Sequence, residues 1–218
     1  MNRIFIFDLD GTLIDSSHQI LEAANLALTK RDLPKLTEAF LLPLIGLPPV
    51  HFFSKLELND LEISDLITEF RNNLKEIATS NLVFFPGAIE LLSFLKKNGD
   101  FVAIATNKPT NLTRKIMENS LAWPLIDICV GTGDVKPKPS PEMIFRILDY
   151  FAHASIPKSD IRMIGDRNED VLSGIRAGIS TVLLEQSGHQ LDPELQGSET
   201  LVLPNIFEYF QILRKSNS

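Results

Sequence analysis

Cysteine is nearly absent from this chain: Cys129 is the single one in 218 residues. That excludes an intrachain disulfide framework, and its place in the apolar run Ile126-Asp-Ile-Cys-Val130 reads as a buried, inert thiol in a reducing, cytoplasmic setting. Long apolar runs are missing too. Crossing a bilayer takes about 20 consecutive apolar residues, so no membrane insertion is expected. Residues 1–14 also lack the small-residue cleavage site of a secretory signal. Positive charge is short, with 21 Lys and Arg against 28 Asp and Glu and a formal charge of −7, and no basic cluster offsets it. Nucleic-acid surfaces depend on Lys and Arg to neutralise phosphates, so no nucleic-acid partner is expected. Internal repeats and low-complexity stretches are absent. The remainder, 44% hydrophobic and 22% charged, is the composition of a globular chain long enough to bury a core, as one domain or one domain with an insert.

The most informative stretch is the start, Asn2-Arg-Ile-Phe-Ile-Phe-Asp-Leu-Asp-Gly-Thr-Leu-Ile-Asp15, where an apolar strand runs into two carboxylates one residue apart. Strand side chains alternate, so Asp8 and Asp10 are placed to share one face beyond the strand's C-terminal edge, where open α/β sheets bind ligands. Bare carboxylates this close repel. A divalent cation relieves the repulsion, and hard oxygen ligands suit Mg²⁺.

After Asp15 the period becomes helical. A helix from Ser16 or Ser17 to Lys30 carries Ile20, Leu21, Ala24, Leu26 and Leu28 as its apolar face. Further helices are expected from Thr37 to about Leu42 and from Asp60 to about Ile77, the latter with Leu61, Ile63, Leu66, Ile67, Phe70 and Leu74. Strands and helices then alternate. Strands are expected at Phe101–Ala105, around Ile128–Val130, at Ile161–Ile164 and at Thr181–Leu184, with helices near 86–97, 111–119, 141–151 and 168–177. This pattern predicts an α/β fold, a Rossmann-like doubly wound parallel sheet. Because the first strand must join that sheet, residues 16–80 form an inserted all-helical domain, and 1–15 with 81–218 form the core. The tail Arg214–Ser218 is expected to fray.

Asp8-Leu-Asp10-Gly11-Thr12 resembles the nucleophile motif of the haloacid dehalogenase superfamily. The resemblance makes Asp8 the nucleophile and Asp10 the general acid and base, both touching the metal. It likens residues 16–80 to a small cap domain and Gly46-Leu-Pro-Pro49 to the loop such caps point at substrate, making Gly46 a substrate contact. Ile104-Ala-Thr-Asn-Lys108 is similar to the phosphoryl-binding motif, with Thr106 binding the transferring group and Asn107 adding a donor. In Val135-Lys-Pro-Lys-Pro-Ser-Pro-Glu142, Lys138 fits the Lys-Pro-x-Pro-acidic pattern and Lys136 is the alternative catalytic lysine. Ile164-Gly-Asp166-Arg-Asn-Glu-Asp170 supplies Asp166 as a Mg²⁺ ligand and Asp170 as a ligand through water or a partner of the lysine. Arg167 departs from the small hydroxyl residue often found after that aspartate. Each motif alone has a plainer structural reading: an Asp-Gly turn, a Thr capping a helix, a solvated Lys-Pro loop, or acids stabilising a helix N-terminus.

The resemblance covers the chain from Ile4 to about Gln186, with the motifs in order. An acid at position 10 favours phosphate esters over haloalkanoates, through an aspartyl phosphate on Asp8. The phosphoglycolate phosphatase group is most similar, and the substrate is expected to be a small phosphorylated metabolite. Sugar phosphomutases of the β-phosphoglucomutase type carry a His about ten residues after the general acid and an Arg in the cap loop. Here position 20 is Ile20, the nearby histidine is His18, and 46–49 holds no Arg. Pyrophosphatase, nucleotidase and non-catalytic phosphate-metabolite binding remain alternatives. His51, His153 and His189 are assigned no catalytic role, and Trp123 is read as packing. Oligomeric state cannot be read from the pattern.

Overall fold

A computed structural model describes residues 2–78, 82–133 and 135–216. Its six strands are β1 (Ile4–Phe7), β2 (Phe101–Pro109), β3 (Ile128–Thr132), β4 (Ile161–Gly165), β5 (Ser180–Leu184) and β6 (Thr200–Leu203). They form one parallel sheet in the order β3-β2-β1-β4-β5-β6. The fold is α/β, Rossmann-like and doubly wound.

Parallel sheets are covered on both faces, which is why β1 is apolar at every position. Alternation divides it between two cores. Phe5 and Phe7 pack with Val102, Ile104 and Ile164 under helices α5 (Ala88–Lys97) and α9 (Ile206–Ser216). Ile4 and Ile6 pack with Ala103, Ala105 and Met163 under α7 (Glu142–Tyr150) and α8 (Asn168–Ala177).

Between β1 and α5 lie α1 (Ser17–Thr29), α2 (Glu38–Leu41), α3 (Val50–Phe53) and α4 (Asp60–Ala78). They bury a third core that takes in Leu112 and Ile116 of α6 (Thr110–Met117), so the insert is seated on the sheet domain through that helix. Phe52, Phe53 and Phe70 form an edge-on trio with centroids 5.7 to 6.2 Å apart. The boundary expected at residues 80 and 81 lies outside the described residues.

Several expectations shift. The buried stripe of α1 runs through Ile20, Ala23, Ala24, Ala27 and Leu28, with small alanines against α4, and Leu26 faces solvent. Leu61, 71% exposed, also lies off the buried face of α4. Strand β2 runs on past Ala105 to Pro109, with a register shift after Thr106. Arg214 through Ser216 are the end of α9 rather than a frayed tail, because Ile206, Tyr209 and Leu213 bury that helix; residues 217 and 218 lie outside the described residues. Cys129 is half-buried, and burial pushes its thiol up to about 12, the inert state expected. Among the described residues no helix is long and apolar enough to cross a membrane.

Candidate active site

From β1 the chain winds outward to β2 and β3, then returns across β1 to begin the other half at β4. The crevice at that reversal lies beyond the C-terminal ends of β1 and β4, the ligand position of open α/β sheets. Asp8 follows β1 directly and its N–H donates to the Ile164 carbonyl at 2.8 Å. Asp166 follows β4. One turn into α8, the Asp170 carboxylate accepts the Arg167 N–H at 3.0 Å and so caps the helix.

Asp8, Asp166 and Asp170 are all buried, and each offers a carboxylate oxygen within 4.8 Å of the others'. Thr12 Oγ1 donates to Asp166 Oδ1 at 2.9 Å, and the Ser187 hydroxyl donates to its other oxygen. The loop carrying Thr12 passes so close that a Cβ at Gly11 would run into the Asp166 carboxylate, and Gly11 also has φ +85°.

Of the two candidate lysines, only Lys138 enters this cluster. Its buried Nζ lies 2.7 Å from Asp8 Oδ1, 2.6 Å from Asp170 Oδ1 and 2.7 Å from the Ala105 carbonyl. Lys136 stands in solvent 3.4 Å from Glu142. Three carboxylates against one ammonium leave excess negative charge out of water. Burial, then the Asp170 and Asp10 charges, push Asp8 up to about 7 against the pull of Lys138. Burial and the charges of Asp8 and Asp170 hold Asp166 well above the carboxylate range, opposed by the Ser187 and Thr12 hydroxyls. Lys138 is raised despite burial, through Asp170 and Asp8. Clustered oxygen donors with unneutralised charge are the set a hard divalent cation takes.

Asp10 differs from its expected place. Its carboxylate is outside that cluster, because Lys108 Nζ holds Oδ1 at 2.7 Å with both side chains buried. Lys108 went unassigned in the sequence, where the strand was expected to end at Ala105 and not to carry on to Pro109. Thr106 is buried, and its Oγ1 accepts the Lys108 N–H at 3.2 Å. Asn107 is committed to the protein: Oδ1 accepts the Lys138 N–H at 2.8 Å, while Nδ2 donates to the Gly46 carbonyl at 3.2 Å and the Lys138 carbonyl at 3.4 Å. It therefore braces two loops rather than offering the free donor expected. Gly46 lines a cavity of about 40 Å³ together with Asp10, Thr106, Lys108 and Arg71. His189 Nε2 lies 2.8 Å from Arg167 Nη1.

A family model described as haloacid dehalogenase-like hydrolase matches residues 5–184. A Dickeya dadantii protein named "Probable phosphatase IndB" is 28% identical over 213 residues, covering 95% of this chain and 91% of that one. A phosphoglycolate phosphatase of Xylella fastidiosa is 30% identical over 208 residues, covering 92% and 88%. A haloacid dehalogenase-like family hydrolase of Streptococcus pneumoniae superposes with a TM-score of 0.82 over 100% of this chain and 99% of that chain; at 22% identity it speaks for the fold. With the matched stretch spanning every strand from β1 to β5, the chain belongs to the haloacid dehalogenase-like hydrolase family and is a phosphatase.

Proposed function

We propose that this enzyme is a Mg²⁺-dependent phosphomonoesterase that hydrolyses a small, phosphoglycolate-like metabolite through an aspartyl phosphate on Asp8. The observation that carries the reading is the Lys138 ammonium 2.7 Å from Asp8 within a buried trio of carboxylates. An anionic nucleophile needs positive charge on either side before a phosphate dianion can approach.

In this reading an Asp8 oxygen attacks phosphorus in line and the bond to the leaving oxygen breaks. Asp10, held by Lys108, gives that oxygen its proton. The same carboxylate then takes a proton from water as water attacks phosphorus, and Asp8 and inorganic phosphate are released. Lys138 offsets charge on the transferring group, and the Thr106 hydroxyl binds one of its oxygens. Asp8, Asp166 and Asp170 would hold Mg²⁺, with Asp170 also reaching Lys138. A bound Mg²⁺ supplies charge neutralisation for the phosphoryl oxygens.

Residues 16–80 act as a cap that closes over the site and excludes water. Support for a small substrate comes from the cavity of about 40 Å³ and from relatives that bear the phosphoglycolate phosphatase name. The lone half-buried thiol supports a reducing, cytoplasmic setting.

The test is phosphate release from 2-phosphoglycolate, sugar phosphates, nucleotides and pyrophosphate, with Mg²⁺ or EDTA. Mg²⁺-dependent release, fastest on the smallest monoester, is expected; no release across the panel rejects the reading.

Metal and pH are also linked. Asp8 is raised to about 7 from an ordinary value of about 3.9, so the metal-free native state binds more protons than the unfolded chain in that interval. Its contribution to stability is therefore present below about pH 4 and is lost as pH rises to about 7. A cation needs the carboxylates ionised. The gain in Tm from Mg²⁺ over EDTA is thus expected to grow from pH 5 to pH 8. A gain independent of pH would place the ion elsewhere.

A further inference from the structure

The position after Asp166, where the family resemblance expects a small hydroxyl residue, holds an arginine that crosses from the sheet domain to the insert. Arg167 Nη1 donates to the Pro43 carbonyl at 3.0 Å and to the Ile45 carbonyl at 2.9 Å. His189 Nε2 lies 2.8 Å from the same nitrogen, and Glu169 holds Nε at 3.1 Å, so the guanidinium is fixed on both edges. The side chain is only 13% exposed. Its stem lies against Gly46, where an added Cβ would fall 2.7 Å from Cδ, and Gly46 has φ +87°. The loop leaves room for this arginine only because residue 46 has no side chain.

The other side of the loop is also held. Asn107 donates to the Gly46 carbonyl and accepts the Lys138 N–H. Residues 43–46 are therefore gripped from the β4 side by the neighbour of Asp166 and from the β2 side by the residue that braces Lys138. A serine or threonine at position 167 is too short to reach either carbonyl.

We propose that Arg167 is a positioning residue: it latches loop 43–46 of the insert onto the edge of the carboxylate cluster and so sets how tightly the cap closes over substrate. This rests on the reading of residues 16–80 as a cap.

The test uses the full chain with Arg167→Ser, Arg167→Lys and, as an independent disturbance from the loop side, Gly46→Ala. Amide hydrogen exchange over residues 42–49 is followed together with KM and kcat for 2-phosphoglycolate and p-nitrophenyl phosphate. Arg167→Ser is expected to speed exchange in 42–49 by roughly tenfold or more, the loss of a hydrogen bond from a charged donor, with β1 and β4 unchanged. KM for the small ester rises more than kcat falls, preference shifts toward the bulkier aryl ester, and Arg167→Lys restores part of the difference. Gly46→Ala reproduces the faster loop exchange. Unchanged exchange in 42–49, or faster exchange spread through β1 and β4 in both Arg167→Ser and Gly46→Ala, overturns the latch. Exchange is read without turnover, so an inactive wild-type enzyme would overturn the proposed reaction and leave the latch to be judged by exchange alone.

Discussion

Asp8→Asn is expected to lower phosphate release by roughly three orders of magnitude or more, the scale seen when a covalent nucleophile is removed. The amide has the shape of the carboxylate and keeps an oxygen for the Lys138 ammonium, now 2.7 Å from Asp8 Oδ1. It lacks the anion that attacks phosphorus. The same change removes one of the cluster's three buried carboxylates, and Asp8, like Asp166, is pushed up by burial and its acidic neighbours, in its case to about 7. In EDTA at pH 8 the variant should therefore melt at a higher temperature than the wild type, and its gain from Mg²⁺ should shrink. Turnover and thermal melts on one preparation check both. An active Asp8→Asn enzyme would remove Asp8 from the nucleophile's role, and a lower Tm in EDTA would contradict the charge excess.

Lys138→Met acts on the same cluster in the opposite sense. Methionine fills a similar volume but leaves Asp8, Asp166 and Asp170 without the ammonium that lies 2.7 Å from Asp8 and 2.6 Å from Asp170. Removing one partner of a buried ion pair costs about 3–5 kcal/mol. The cost should be largest near pH 8 and smaller at pH 5, where Asp8 and Asp166, both raised, take up protons. Urea unfolding at the two pH values in EDTA measures the difference. Equal losses at both would mean that Lys138 acts by packing alone. Phosphate release should fall as well, since the charge facing the phosphoryl group is gone.

The parts of the site that sequence could place are those where local physics and chain order coincide. A buried strand ending in acid marks Asp8 and again Asp166, and the apolar pattern places most of the sheet. Lys138 could be preferred to Lys136 through the resemblance, because it and not Lys136 fits the Lys-Pro-x-Pro-acidic pattern with Glu142 in place. What escaped depends on three-dimensional neighbours. Nothing in Ile104-Ala-Thr-Asn-Lys108 shows that Lys108 will meet a carboxylate 98 positions away, or that Asn107 will brace two loops. Ser187 lies beyond the last recognised motif, yet its hydroxyl reaches Asp166. Strand β6 lies at the sheet edge with Leu201 and Val202 partly in solvent, so it lacks the fully buried apolar run that marks β1, a strand of the same length. On α1 the alanines, not the larger Leu26, form the buried seam, because close helix approach selects for small side chains there.

The strand order also governs how the molecule is made. The first strand is the centre of the sheet: Ile4 pairs with Phe101 on one side and with Ile161 on the other. During synthesis Ile4–Phe7 emerges before the other described strands, gains its first partner only with Phe101–Pro109 and its second only with Ile161–Gly165. Long-range parallel pairing is slow, and an unpaired apolar strand invites association with other chains. The helices between β1 and β2 can begin to assemble from contacts among themselves, while the carboxylates of Asp8 and Asp166 meet only after β4 has docked. Premature release of the nascent polypeptide would thus yield a sticky, catalytically empty fragment, and the demand for chaperone protection falls on its first four strand residues.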